Sequence, residues 1–136
     1  MSSSHPYKLG PSPIFGEIAR PLLDFEIESE VTGEWVTVED ALADTGADAS
    51  LLPVHIGRLV SADLRPGPRF TVHGVVPGAD LVVHLRTLNF RIGRRKFAAP
   101  TLIADSPDVP AILGRHGALD RWRVTYARGR TLRIRK

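Results

Sequence analysis

Asp44 stands at the head of Asp44-Thr45-Gly46, between the apolar run Ala41, Leu42, Ala43 and the returning pair Leu51 and Leu52. Strand-like residues lead into the aspartate, Gly46 lets the backbone turn closely beneath it, and the two leucines send the chain back toward a core. A carboxylate displayed in this way is placed for proton transfer. Hydrolysing an amide without a metal or a nucleophilic side chain needs a water activated by one carboxylate. A second acid protonates the carbonyl oxygen and later the amine. Two facing aspartates that share a proton do both jobs, because like charges about 3 Å apart cannot both ionise. The pair then titrates as a unit. The sequence holds a single Asp-Thr-Gly, so its partner must arrive across a two-fold axis from a second copy of the chain. Dimerisation is then part of the chemistry.

Asp-Thr-Gly alone is a weak signal, since aspartate and glycine are ordinary turn residues. It gains weight here from its flanking strands, from its extension through Ala47 to Asp48, and from the distant run Ala111, Ile112, Leu113, Gly114, Arg115. Other chemistries find less support. His55, His73, His84 and His116 show no spacing that suits zinc, and no metal or cofactor is expected. Ser50 has no recognisable histidine and aspartate partners for a nucleophilic serine. The sequence has no cysteine, which removes disulfides and thiolate metal sites. Asp48 and Arg115 read either as a surface ion pair of little energetic value or as a partly buried brace. Trp35 and Trp122 read as core or interface packing.

The elements that must position Asp44 are short strands. With 136 residues, 43% of them hydrophobic, the chain supports one domain and one modest core, so a second catalytic lobe does not fit. Met1 to Pro13 carries serines and three prolines without periodicity, giving an expected flexible arm over residues 1–16 and one domain over 17–136. Leu23, Phe25 and Ile27 alternate with Asp24, Glu26 and Glu28 as in a half-buried strand. A turn at Glu30 to Glu34 and a returning strand from Trp35 to Ala43 complete a hairpin. Val54 to Val60 reads as a short turn of helix or a loop. Phe70 to Val76 and Leu81 to Leu88 form a second hairpin across Pro77, Gly78 and Asp80. Asn89 to Phe97 and Pro100 to Ala104 add strands around an Arg94-Arg95 turn. Gly117 to Trp122 looks like one or two helical turns, and a last hairpin turns at Arg128 to Arg130. Together these indicate an all-β barrel or sandwich.

No apolar run approaches the roughly 20 residues that span a bilayer, and no export signal opens the chain, so a soluble cytoplasmic protein without a membrane partner is expected. The net charge is +3, unevenly spread. Arg91, Arg94, Arg95 and Lys96 form one basic cluster, and the tail from Arg121 to Lys136 forms another. Such clusters suit phosphates or acidic peptides. A solvated edge whose charges discourage aggregation is the favoured reading, and on it nucleic acid is not an expected partner.

The run Ala41 to Asp48, followed well downstream by Ala111 to Arg115, resembles the retropepsins, the homodimeric aspartic proteases of retroviruses and their bacterial relatives. Arg20-Pro21-Leu22 before the first hairpin, and a glycine-containing hairpin between the two motifs, add to the resemblance, which spans Arg20 to Trp122. It implies an all-β, retropepsin-like closed barrel, one half of an acid protease, with a short helix near the C-terminus. It implies an aspartic endopeptidase, active as a homodimer on extended peptide or protein substrates. Asp44 would be catalytic, and Thr45 would hydrogen-bond across the two-fold axis. Gly46 would offer its carbonyl to the substrate. Asp48 would accept substrate N–H groups and pair with Arg115, while Ile112, Leu113 and Gly114 would pack under the loop. Val72 to Leu81, with Gly74, Val75, Val76 and Gly78, would form a flap that excludes water. Leu42, Val75, Val76 and Ile112 would line apolar subsites.

The chain departs from that pattern in three places. The expected flap carries Pro77 and Asp80 in place of a glycine-dense tip, the first hairpin is longer, and the chain runs on into a basic hairpin that implies an altered dimer sheet. Two other functions stay open on sequence grounds: a catalytically silent peptide-binding or dimerisation module of the same fold, and a nucleic-acid module built on Arg128 to Lys136.

Overall fold

The computed structural model describes residues 2–73 and 78–136. Its centre is a barrel that begins with the alternating strand read from the sequence. In β4 (Leu22–Glu28), Leu23, Phe25 and Ile27 are buried, and β5 (Trp35–Ala43) returns antiparallel beside it. The remaining barrel strands are β6 (Ser50–Leu52), β8 (Leu81–Ile92), β9 (Arg95–Ala104) and β10 (Ile112–Leu113). They run in the order β4, β5, β10, β6, β9, β8, and β8 then pairs back onto β4 through Glu26↔Arg91 and Ile27↔Phe90. That last pairing closes six strands into a ring and leaves no free edge in it.

Charge and packing both secure the seam. Arg91 donates two hydrogen bonds to the Glu26 carboxylate, at 2.9 and 2.7 Å, and its guanidinium lies over the Trp35 ring at 4.3 Å. Inside, Phe25 stacks on Phe90, and Phe90 on Phe97, with centroids 5.2 Å apart in each pair. Side chains of this size, buried as fully as Phe25 and Phe90, contribute roughly 1.5–3 kcal/mol each. The barrel therefore forms a stiff frame for the loop that leaves β5.

Around it, α1 (Val54–Val60) follows β6, and β7 (Arg69–Val72) pairs with the first part of β8. The helical turns expected over Gly117 to Trp122 are a 3-10 helix, Leu119–Arg121. β8 continues to Ile92 and turns at Gly93, one step earlier than the expected Arg94-Arg95 turn, because Gly93 supplies the positive φ of 58°. Among the described residues no helix is long and apolar enough to cross a membrane.

Residues 2–16 correct the expectation of an unstructured arm. β1 (Ser2–Pro6) pairs along its whole length with β12 (Thr131–Arg135), which also pairs with β11 (Arg123–Ala127), giving a three-stranded sheet in the order β1, β12, β11. β2 (Lys8–Ser12) and β3 (Gly16–Arg20) form a separate hairpin. Lys8 ties that hairpin to the barrel by reaching both Asp24 and Asp40. These contacts are remote in sequence, so no local periodicity announces them.

Candidate active site

β10 is only two residues long, yet it fixes the loop that carries Asp44. Ile112 and Leu113 pair parallel with Leu42 and Ala43 of β5, and Ile112 pairs antiparallel with Leu51 of β6. One short strand thus holds both the entry to the loop and its exit. The Asp44 amide donates to the Leu113 carbonyl at 3.0 Å, and the Ala43 amide donates to Pro21 at 3.0 Å. Beyond the aspartate, the Gly46 N–H donates to Asp44 Oδ1 at 2.8 Å. A β-carbon on Gly46 would sit 3.1 Å from that same oxygen, so the close turn beneath the carboxylate favours glycine. The Arg115 and His116 amides then donate to the carbonyls of Ala47 and Asp48, at 2.9 and 2.7 Å.

Gly114 is the tightest point of this floor. A β-carbon there would lie 2.3 Å from both the carbonyl carbon and oxygen of Ala49, and 2.8 Å from the Ser50 nitrogen. Its N–H donates to the buried Ser50 Oγ at 3.0 Å. Ser50 is therefore a brace between the two motifs, a role its hydroxyl did not suggest in sequence. Tyr126, on β11, was also missed. Its hydroxyl donates to the Ala43 carbonyl at 2.9 Å, on the residue directly before the aspartate. Burial pushes the Tyr126 phenol above its ordinary value, with smaller contributions from Tyr7 and the Asp44 charge, and keeps it a donor. Nothing local marks Tyr126, since β11 reaches Ala43 only through the tertiary fold.

The expected site residues fall into three groups. Asp44, Thr45, Gly46, Asp48, Ile112, Leu113 and Gly114 come together in this one loop and its floor, and Leu42 and Ile112 are direct cross-strand neighbours. Asp44 is half-buried, whereas Thr45 and Gly46 are exposed. The Thr45 hydroxyl makes no hydrogen bond among the described residues. Gly78 sits at φ +85° in the connection from β7 to β8, where His73 Nδ1 and Asp80 Oδ1 lie 3.0 Å apart. Gly74, Val75 and Val76 lie outside the described residues.

Arg115 corrects one expectation. Its guanidinium reaches Asp120 at 3.4 and 3.5 Å and not Asp48. The reason is local: the amide of Asp120 donates to the Arg115 carbonyl, so the turn into the 3-10 helix carries that carboxylate under the guanidinium. Asp48 is held through its backbone instead. A cavity of about 510 Å³ lies between Val31 and the 61–68 loop, and Asp44 does not line it. Among the described residues no group of three or more histidine, aspartate or glutamate side chains is placed to hold a metal.

This architecture is similar to that of a retropepsin-like aspartic protease from Rickettsia conorii, with a TM-score of 0.61 over 98% of this chain and 91% of the other, at 14% identity. The fold is retropepsin-like. A second similar structure is the EIAV protease solved with the inhibitor HBY-793, at 22% identity over 76% of this chain and 86% of that one, with a TM-score of 0.45. No protein-family model matches the sequence, and no curated protein matches it significantly. Within the retropepsin-like barrel, the loop bearing Asp44 leaves the frame where β5, β6 and β10 converge.

Proposed function

We propose that the chain is an aspartic endopeptidase, active as a homodimer in which two Asp44 carboxylates face each other. The observation that carries this reading is the Asp44 carboxylate itself, oriented by the Gly46 N–H on a loop braced by β10 in a retropepsin-like barrel. In the working pair one carboxylate holds a proton and the other is ionised. The ionised group takes a proton from water as the water oxygen attacks the peptide carbonyl carbon, and the protonated group gives its proton to the carbonyl oxygen. The tetrahedral intermediate then collapses as a proton passes to the nitrogen and the C–N bond breaks. Thr45, whose hydroxyl makes no hydrogen bond among the described residues, bonds across the two-fold axis. The substrate lies extended, with Gly46, Asp48 and the β7–β8 hairpin contacting its backbone and that hairpin closing as a flap.

The test is cleavage of a peptide library by the wild type and Asp44→Asn between pH 3 and pH 8. Asparagine keeps an oxygen for the Gly46 N–H, so the fold persists. The expected result is activity highest at mildly acidic pH and a fall of roughly 10²- to 10⁴-fold in the variant. Equal turnover by both proteins ends this reading and leaves a peptide-binding or dimerisation module.

A further inference from the structure

We infer that the outer face of the three-stranded sheet, with the cavity at its end, binds single-stranded nucleic acid. The strands alternate cleanly. Ile134 and Leu132 of β12 are buried, while Arg133 and Arg135 point outward, as does Arg123 of β11. Arg123 and Arg135 are direct cross-strand neighbours, and the third strand sets Ser2 and Ser4 opposite Arg135 and Arg133. The other positions on this face are threonine, alanine and proline, and among the described residues no carboxylate pairs with the three arginines. Like charges placed directly opposite one another destabilise a sheet. Protection of an exposed edge does not explain Arg133 and Arg135 either, because β12 is the central strand of its sheet. A face that repels itself in isolation is relieved by an anion laid along it.

The cavity identifies the anion. It holds about 440 Å³ and is lined by Arg95, Lys96, Phe97, Arg121, Trp122 and Lys136, four cations around two aromatic rings. Lys136 follows Arg135 in the chain and Trp122 precedes Arg123, so the cavity lies at the end of the sheet where Arg123 and Arg135 pair. Arg95 fixes the junction by donating to Ser3 Oγ at 3.1 Å and to the Ile134 carbonyl at 3.3 Å. Phe97 and Trp122 meet edge to face at 4.9 Å, which holds the indole in place. A second cavity of about 350 Å³ shares Lys96 and Phe97, but Glu28 also lines it, and Arg91 already lies over its Trp35 ring at 4.3 Å. Arginines and hydroxyls in a row suit phosphates. The cation-rimmed hollow at Phe97 and Trp122 suits an unpaired base, since bases stack on aromatic rings without regard to sequence. A duplex keeps its bases inside and an acidic peptide has none, so neither uses the hollow. The inference is independent of the proposed protease activity.

Fluorescence anisotropy of a labelled twelve-nucleotide oligothymidylate, titrated with the full chain from 50 to 200 mM salt, tests it. The expected result is binding that weakens with salt, and a log–log slope reduced by about 2 when Arg123, Arg133 and Arg135 are all changed to glutamine, at about 0.7 per phosphate contact. Those side chains are exposed, so this variant folds. Trp122→Leu is expected to weaken binding about tenfold or more with the slope unchanged. Should that variant fail to fold, quenching of the wild-type tryptophan emission by the oligonucleotide reads the same contact. No binding at 50 mM salt overturns the proposal. So does displacement of the oligonucleotide by polyglutamate at equal charge, or a matching duplex bound as tightly as the single strand.

Discussion

Around Asp44 the backbone is held from three sides: by Pro21 at the end of β3, by Leu113 in β10, and by the Tyr126 hydroxyl from the C-terminal sheet. Among the described residues β7 pairs with β8 alone, and all four of its residues are exposed, Phe70 by 51% and Val72 by 46%. The contrast shows which part of the proposed site one chain can finish by itself. Catalytic groups need rigid support to hold a productive geometry, and the loop has it. A cover that must admit and release a polymer is drawn from the weakly packed end of the structure. On the proposed reading, the exposed apolar side chains of β7 would be covered when a peptide is bound.

Gly114→Ala is the severest test of the rigid half. The added carbon meets backbone atoms of Ala49 at 2.3 Å, and they cannot move without disturbing the loop exit into β6. A loss of about 3 kcal/mol or more in urea unfolding is expected. If the loss were below about 1 kcal/mol, the floor would be more yielding than its hydrogen bonds imply. Ser50→Ala comes next. It leaves the buried Gly114 N–H without an acceptor, which costs about 1–3 kcal/mol by the same measurement. Ser50→Thr, if the extra methyl is accommodated, recovers part of that loss.

These two residues also show what the sequence could and could not disclose. Asp44 and the Ile112 to Gly114 run are legible because each motif is contiguous, and β4 and β5 because burial on one face forces alternation. Gly114 beside an apolar pair reads as part of a site. The bond between its N–H and Ser50, by contrast, spans 64 positions and has no local mark. The same limit hides β1 and β2. Their serines, glycine and prolines have no core pattern, and order comes from β12 and from the two aspartates that hold Lys8. For Arg115 the error runs the other way. The resemblance points to Asp48, whereas Asp120, five residues away, lies within reach of the guanidinium.

Tyr126→Phe probes the third support. Losing the bond to Ala43 is expected to cost about 1 kcal/mol at pH 7. The pH dependence carries a sign. The folded phenol titrates above its ordinary value, so between the unfolded and folded values the native state holds the extra proton. Its contribution is therefore complete below the unfolded tyrosine value of about 10 and disappears as pH rises through the higher folded one. Urea midpoints measured from pH 8 to pH 11 should fall in the wild type and fall less in Tyr126→Phe. Parallel curves would mean that the hydroxyl does not support the residue before Asp44.

The smallest change in stability is expected on the flexible half. Phe70→Ser removes a ring that is half in water and touches no part of the buried core cluster, so the unfolding free energy should move by no more than about 0.5 kcal/mol. If β7 is one arm of a closing flap, the same substitution removes apolar surface that is covered only when a peptide is bound. In that case kcat/KM should drop about tenfold, equivalent to about 1.4 kcal/mol of transition-state stabilisation. The two readouts separate the halves of the molecule, since a floor residue such as Ser50 lowers stability and activity together. A Phe70 variant that unfolds easily would place β7 with the frame, and one that cleaves normally would place the cover elsewhere.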